Sequence, residues 1–385
     1  MSNGHNAQPA AERSSPAPQE PPFAQAWLRY WFEPASPRPL AVVRMLAGLL
    51  GLMLAGSFVA DLELWFGPRG MLSTDAMDAW GSRAGGSLFA LATTPAMLWT
   101  LFATLLVALV AVMVGFASQL ACITAAVLWA SLLQRGPMLA GPADDCLAIL
   151  LWCLAIGPCG AHWSVDRLIR DRRGLPPPSD SPWARVSLGL LRVHASAITA
   201  AVLLAELKGD VWWDGTAAWW LAVRPSQLLD LTDLYRRSEY LVNLVTHGIV
   251  AFEITFAVGL WFSAVRRPLA RAGLVAWPLI GLLAGEPFWG AAMAIFCVPD
   301  AVTPGSNAAD WPHQPCGPNT WRRASCFARE DFFKGRLVEH GYAQFYGLVE
   351  LAAGLCPGHE VVCLLRDARR GPAAGPADRL LGLLP

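Results

Sequence analysis

Charge is scarce in this chain of 385 residues, and lysine is almost absent. Asp, Glu, Lys and Arg together make up 15% of the sequence, whereas a soluble domain usually carries about 25%. Only two of the 29 basic residues are lysines, Lys208 and Lys334. The formal net charge is zero. The excess of positive charge that is typical of nucleic-acid-binding proteins is therefore missing, and we expect no nucleic acid as a partner.

Apolar residues take the place of the missing charge. They form 55% of the chain, and its mean hydropathy is +0.40. A soluble core of this size does not require so much apolar sequence, so we expect the lipid bilayer to be the solvent. The predicted fold class is all-α, a polytopic transmembrane helical bundle of six to eight spans.

The two ends of the chain differ in composition from its middle. Residues 1–25 are rich in Ala, Pro, Ser, Glu and Gln and lack an apolar run, so we predict a disordered tail and no cleavable signal peptide. Residues 26–300 are predicted to form the transmembrane domain. Residues 301–385 are predicted to be a loop followed by a short helical tail.

Runs of apolar residues predict the membrane spans, because a helix needs about 20 such residues to cross the hydrocarbon. The stretch 272–298 is too long for one straight helix and contains Glu286 and Pro287. It is either one kinked span or a hairpin. The six other predicted spans are 40–60, 95–116, 119–133, 145–161, 186–205 and 241–265.

Arginine-rich loops set the predicted orientation, since such loops stay in the cytoplasm. Four arginines follow the fourth span and three follow the sixth, so we place both loops, and by alternation the N-terminus, in the cytoplasm. The expected location is a bacterial inner membrane. The tryptophan-rich segment after the fifth span then faces outward, and within it 216–223 is too short to cross. We predict that 216–223 is re-entrant or lies in the interface.

The fifth span ends in a charged segment rich in tryptophan. Glu206 and Lys208 come at the end of the apolar run, and Trp212 and Trp213 follow. Interfacial anchoring is one interpretation, since tryptophan and charge are common at membrane surfaces. The other is a site in which Glu206 and Lys208 act as acid or base and the indoles stack on a quinone.

Several other ionisable residues lie in or beside the predicted spans, where they are costly and usually face the bundle interior. One hypothesis for them is structural pairing between adjacent helices, such as Arg192 with Glu253. The other is a proton relay or contact with a quinone head group. The candidate residues are Asp144, Asp145, His247 and Glu253. His162 lies at a span end, where it is either an interfacial polar side chain or a further contact for the ligand.

The nine cysteines do not predict a metal site. Cys356, His359 and Cys363 have a spacing that a metal tolerates, but no fourth ligand is nearby. Cys316 and Cys326 lie in a polar loop and would pair only in an oxidising compartment.

Short motifs in a fixed order resemble the HTTM family, the horizontally transferred transmembrane domain shared with vitamin K-dependent γ-carboxylase. The resemblance covers residues 31–299. The motifs are WFEP (31–34), PLA (39–41) with Arg44, DLELWFG (61–67), GMLS (70–73), GAHWSVDR (160–167), WWDGTA (212–217), FE (252–253) and FCVP (296–299).

The resemblance implies chemistry with a reduced quinone. In the carboxylase members a lysine at the end of the fifth span deprotonates reduced vitamin K, and the product of its reaction with oxygen carboxylates a glutamate side chain. Family members usually read Ala-Lys-Leu at that place, whereas this chain reads Ala205-Glu206-Leu207. Glu206 therefore occupies the lysine position, and Lys208 is about 200° further around a helix.

We expect a non-catalytic or divergent relative of the carboxylase. It would bind a lipid, a quinone or a small membrane or envelope protein in an outward-facing pocket between spans four, five and six, under 212–223. Trp212, Trp213, His162, His247 and Glu253 are the predicted binding residues. The alternative is an active quinone-dependent enzyme with a reduced quinone as cofactor. Its polar core would be Glu206, Lys208, Asp144 and Asp145.

Overall fold

A computed structural model describes residues 23–72 and 87–302 and shows an all-helical protein over this part of the chain. These residues belong to one compact unit. Nearly all of the predicted C-terminal loop and helical tail, 301–385, lies outside the described residues. Most of the predicted tail 1–25 and five residues discussed above, Cys316, Cys326, Cys356, His359 and Cys363, also lie outside the described residues.

The described residues form fourteen α-helices and one short 3₁₀ helix, Leu88–Leu91. In chain order the α-helices are α1 (Phe23–Phe32), α2 (Arg38–Phe58), α3 (Leu62–Phe66), α4 (Pro95–Val114), α5 (Ser118–Arg135), α6 (Pro142–Ile156), α7 (Val165–Arg172), α8 (Pro182–Glu206), α9 (Asp210–Trp213), α10 (Ala217–Ala222), α11 (Thr232–Arg236), α12 (Glu239–Gly259), α13 (Ser263–Ala284) and α14 (Pro287–Val302).

Four of these helices, α2, α4, α8 and α12, are long and apolar enough to cross a membrane. They correspond to the predicted spans one, two, five and six. Local signals set their ends: α4 begins at Pro95 behind a Thr94 side chain that accepts from the Met97 N–H, and it ends at Gly115 with φ of 75°. Such caps satisfy backbone groups that a helix leaves unpaired at its ends.

Two shorter helices, α6 and α14, form the centre of the bundle. Helix α6 packs against α2, α5, α8 and α14, and α14 also packs against α2, α8 and α13. At a rise of about 1.5 Å per residue, each is shorter than the hydrocarbon thickness of about 30 Å. Because they are buried on most sides, both helices are apolar on most sides. Their sequences therefore resemble those of membrane spans.

The stretch 272–298 is a hairpin and not one kinked helix. Helices α13 and α14 are joined at Gly285, whose φ of 75° requires a left-handed backbone. The two helices approach so closely that a Cβ atom on Gly290 would lie 2.5 Å from the Trp277 carbonyl oxygen and 3.0 Å from the Gly281 Cα. The lack of side chains at Gly281 and Gly290 thus allows the two helices to pack closely. Gly285 ends α13.

A buried guanidinium joins three segments at one end of the bundle. Arg44 of α2 is fully buried. Its Nη1 donates to the carbonyl oxygens of Val112 (2.5 Å) and Met113 (2.9 Å), its Nη2 to that of Trp163 (2.7 Å), and its Nε to that of Cys159 (3.2 Å). These bonds satisfy the last carbonyls of α4 and hold the loop after α6 in place.

The GAHWSVDR motif lies beside Arg44. Asp166 accepts hydrogen bonds from the backbone N–H groups of Ala117 and Ser118, both at 2.8 Å, and from the Ser118 hydroxyl at 2.7 Å. It therefore caps the start of α5. Two of the motifs that carry the family resemblance thus have structural roles at this end of the bundle.

Arg192 pairs with Asp300, not with Glu253 as the pairing hypothesis expected. Its Nη2 and Nε lie 2.6 and 3.0 Å from the two carboxylate oxygens of Asp300, a bidentate ion pair between α8 and α14. Its Nη1 also donates to the Tyr30 hydroxyl at 3.1 Å. Glu253 is consequently left without this arginine.

Candidate functional site

An open cavity of about 380 Å³ lies at the end of the bundle away from Arg44. It is lined by residues from the ends of α6, α8, α13 and α14, from the middle of α12, and from α9 and α10. Its walls are mostly apolar and include Val202, Leu221, Ile249 and Ile280. This volume is near the lower limit of ligand pockets, which span about 300–1,000 Å³.

The segment after α8 folds back over the cavity because of local turn chemistry. Asp214 accepts hydrogen bonds from the Thr216 N–H (3.0 Å) and hydroxyl (2.6 Å), and Gly215 has φ of 80°. The Ala218 N–H then donates to the Thr246 hydroxyl at 3.0 Å, which fixes α10 to α12. The turn places Trp212 in the cavity wall.

Polar and aromatic groups are few in the lining. Glu206, Arg224 and Glu286 supply the charges, and Trp212 and Trp289 supply two indoles. A mostly apolar pocket with a few convergent polar groups is the usual form of a small-molecule site. The arrangement can hold a flat ring between apolar walls while the charged groups contact its oxygens.

Glu206 also reaches Glu253, which lies deeper in the bundle on α12. The two carboxyl groups are within hydrogen-bonding reach of each other. Glu253 is completely buried. Among the described residues, none donates a hydrogen bond to either oxygen of Glu253 or to Oε2 of Glu206. Both residues were candidates in the sequence, but their contact was not predicted.

Lys208 and Trp213 do not belong to the cavity. Lys208 is exposed, and neither residue is in the lining. Trp213 is 67% exposed, and its indole N–H donates to the Leu207 carbonyl at 2.8 Å. Lys208 lies past the last residue of α8, so the helix end directs Glu206 inward and leaves Lys208 outside. The structure therefore does not bring Lys208 into the lining beside Glu206, and the catalytic role predicted for it stays a prediction.

Asp144 and Asp145 lie in the first turn of α6, near the cavity but not in its lining. Only Pro142 of this turn contributes to the wall. Asp144 Oδ2 accepts from the Gly141 N–H at 2.7 Å, which caps the helix. The Trp129 indole donates to the Asp144 carbonyl at 3.1 Å. These contacts assign Asp144 a structural role in positioning α6.

The two histidines lie apart from the cavity. His247 is exposed, its Nδ1 is 2.9 Å from the Asn243 carbonyl oxygen, and its ring packs near Gly215. His162 lies beyond the far end of α6, where burial and the nearby Arg38 and Arg167 lower its pKa. Neither contributes to the lining, so the prediction that both bind the ligand is not supported by their positions.

Arg224, Glu286 and Trp289 were not recognised in the sequence as site residues. The hairpin brings Glu286 and Trp289 to the cavity, and the predicted pocket included only spans four, five and six. The helix break at Glu286 and Pro287 was visible in the sequence. The hairpin alternative, with the cytoplasmic arginines after the sixth span, places this turn at the same end as Glu206.

Comparisons of the chain with family models, with curated proteins and with solved structures found no match. The resemblance to the HTTM family therefore stays a prediction.

Proposed function

We propose that this protein is a divergent member of the HTTM family that binds a quinone in the cavity beside Glu206, without the lysine chemistry of the carboxylase. The observation that supports the proposal is the cavity itself, with apolar walls, two indoles and three charged side chains. A quinone ring has the flat shape and the two opposed oxygens that such a lining accommodates. The Arg224 guanidinium can donate to a carbonyl oxygen, and the Glu206 carboxylate can accept from a hydroxyl.

The cavity suits a quinone better than the two other ligand classes that we considered. A phospholipid head group is anionic at its phosphate, whereas two of the three charges in the lining are carboxylates. A protein partner would need a broad docking surface rather than a pocket of about 380 Å³. The ligand then comes from the lipid bilayer and enters the outward-facing cavity.

The proposed topology is a bacterial inner-membrane protein with six to eight crossings, including the α13–α14 hairpin, and a cytoplasmic N-terminus. The arginine-rich segments after α6 and α12 lie at the end away from the cavity, which supports an outward-facing cavity. We propose that α10 lies in the interface, because its six residues are too short to cross. Labelling of introduced cysteines from each side of the membrane tests this orientation.

Enzymatic activity is the second candidate, and one observation favours it. Glu206 occupies the position where the resemblance places a catalytic lysine, and it faces the cavity. A carboxylate there is a candidate base. Purified protein supplied with a reduced quinone, oxygen, labelled bicarbonate and a glutamate-containing peptide tests the idea. Quinone epoxidation or labelled peptide would support an enzyme, and the absence of both would exclude this reaction.

Filling the cavity is expected to abolish quinone binding. Ala205 and its neighbour Leu204 are both exposed, but only Ala205 lines the cavity. In lipid nanodiscs, Ala205→Phe should weaken saturable binding of a radiolabelled short-chain naphthoquinone at least tenfold, or by about 1.4 kcal/mol or more. Leu204→Phe should bind like the wild type. Equal affinities of the two variants would place the ligand elsewhere.

A further inference from the structure

Glu253 is a carboxyl group at a position where a carboxylate is strongly disfavoured. It lies on the fifteenth residue of the 21-residue helix α12, and none of its surface is exposed. Phe252 and Phe256 flank it in the sequence, and both rings pack against Trp277 of α13. Moving an ionised carboxylate from water into such surroundings is strongly unfavourable unless a cation or hydrogen bonds compensate for the lost hydration.

No cation compensates for this burial in the part of the chain that the structure describes. The ion pairs there are those of Arg167, Arg185 and Arg192, and none involves Glu206 or Glu253. The other titratable groups near the cavity belong to neighbouring elements. They are Asp144 and Asp145 of α6, Arg224 after α10 and Glu286 before α14.

Among the residues that the structure describes, Glu206 is the one neighbour of Glu253 that can share a proton with it. The two carboxyl groups are within hydrogen-bonding reach, and Glu206 also lines the cavity. Two adjacent carboxylates cannot both be ionised in a medium of low dielectric constant without strong repulsion. A single proton between them removes the repulsion and forms a short, charge-assisted hydrogen bond.

We propose that Glu206 and Glu253 form a proton-binding site in which the two carboxyl groups share one proton at neutral pH, with Glu206 as the member that lines the cavity. Losing this proton would leave two adjacent carboxylates. Gaining a second would leave two neutral carboxylic acids in apolar surroundings. The pair is consequently a better proton acceptor than donor, and a ligand hydroxyl beside Glu206 would face a group able to take its proton. No electrons are transferred in this step.

Infrared spectroscopy of the full chain in lipid tests the proton site without any ligand. We expect the carbonyl-stretch band of a protonated carboxylic acid at neutral pH, with a shift on exchange into deuterated water. Glu253→Gln should remove this band. Glu286→Gln changes another carboxyl group of the cavity and should leave the band in place. Glu206→Gln should move the band, because the hydrogen-bond partner of Glu253 changes.

Three results would overturn the proposal. They are the absence of the band from the wild type at neutral pH, its persistence in Glu253→Gln, and an unchanged band position in Glu206→Gln. The first result needs no variant, so it holds even where a substitution impairs folding. The proposal of a shared proton depends on the proposed function only for the identity of the ligand. Adding the naphthoquinone separates the two ideas, since failure of the quinone to shift the band would count against quinone binding and not against the shared proton.

Discussion

Replacing Arg44 with methionine is expected to lower the free energy of unfolding by at least about 3 kcal/mol, because each buried carbonyl left without a donor costs about 1–3 kcal/mol. The guanidinium donates to four carbonyl oxygens in two separate segments. Methionine fills much of the same volume but offers no donor. The loss should therefore exceed that from a change of packing alone.

Unfolding by denaturant in mixed micelles measures this effect, and Arg38→Met is the matched control. Arg38 is an exposed arginine at the start of the same helix, and its replacement should change stability by less than about 0.5 kcal/mol. Arg44→Lys, which keeps the charge but offers fewer and differently directed donors, should fall between the two. If Arg44→Met were as stable as Arg38→Met, the role assigned to this guanidinium would be wrong.

Breaking the ion pair between Arg192 and Asp300 is expected to have the second large effect on the free energy of unfolding. Removing one partner of a buried ion pair leaves an uncompensated charge and typically costs about 3–5 kcal/mol. Here the side chains are only 10% and 13% exposed, so solvent screens the remaining charge poorly. Asp300→Leu should thus strongly destabilise the contact between α8 and α14, as measured by the same unfolding experiment.

A double substitution distinguishes charge burial from loss of packing. Replacing both partners, Arg192→Leu with Asp300→Leu, removes the uncompensated charge and should restore most of the lost stability, as seen when buried pairs are exchanged for apolar residues. The Tyr30 hydroxyl then loses its donor, so full recovery is not expected. If the double variant were less stable than both single variants, the ion-pair explanation would fail.

Helices with clear local signals could be located from the sequence, whereas breaks between apolar helices could not. Helix α4 begins at the predicted residue, since Thr94 and Pro95 mark its start. The predicted sixth span, 241–265, instead runs across the end of α12 at Gly259 and into α13. The residues at this break, Leu260, Trp261 and Phe262, are apolar, so hydropathy does not detect the turn.

The partner of Glu253 could not be predicted, because sequence does not give the register between two helices. In the antiparallel packing of α8 and α12, the Ser196 hydroxyl donates to the Ala257 carbonyl. Glu253 therefore lies one turn from this contact toward Glu206, while Arg192 lies one turn away in the opposite direction. If α8 and α12 were shifted by two turns relative to each other, Arg192 would lie beside Glu253, as the pairing hypothesis expected.

The most direct test of the account is the accessibility of a cysteine at position 205 in right-side-out membrane vesicles. We expect an impermeant thiol reagent to label Ala205→Cys from outside, and saturating naphthoquinone to slow the labelling. Leu204→Cys should be insensitive to the quinone, and Arg172→Cys should react only after permeabilisation. The wild type, with its nine native cysteines, serves as the blank. Labelling of Ala205→Cys only after permeabilisation, or at a rate that the quinone does not change, would contradict an outward-facing quinone site beside Glu206.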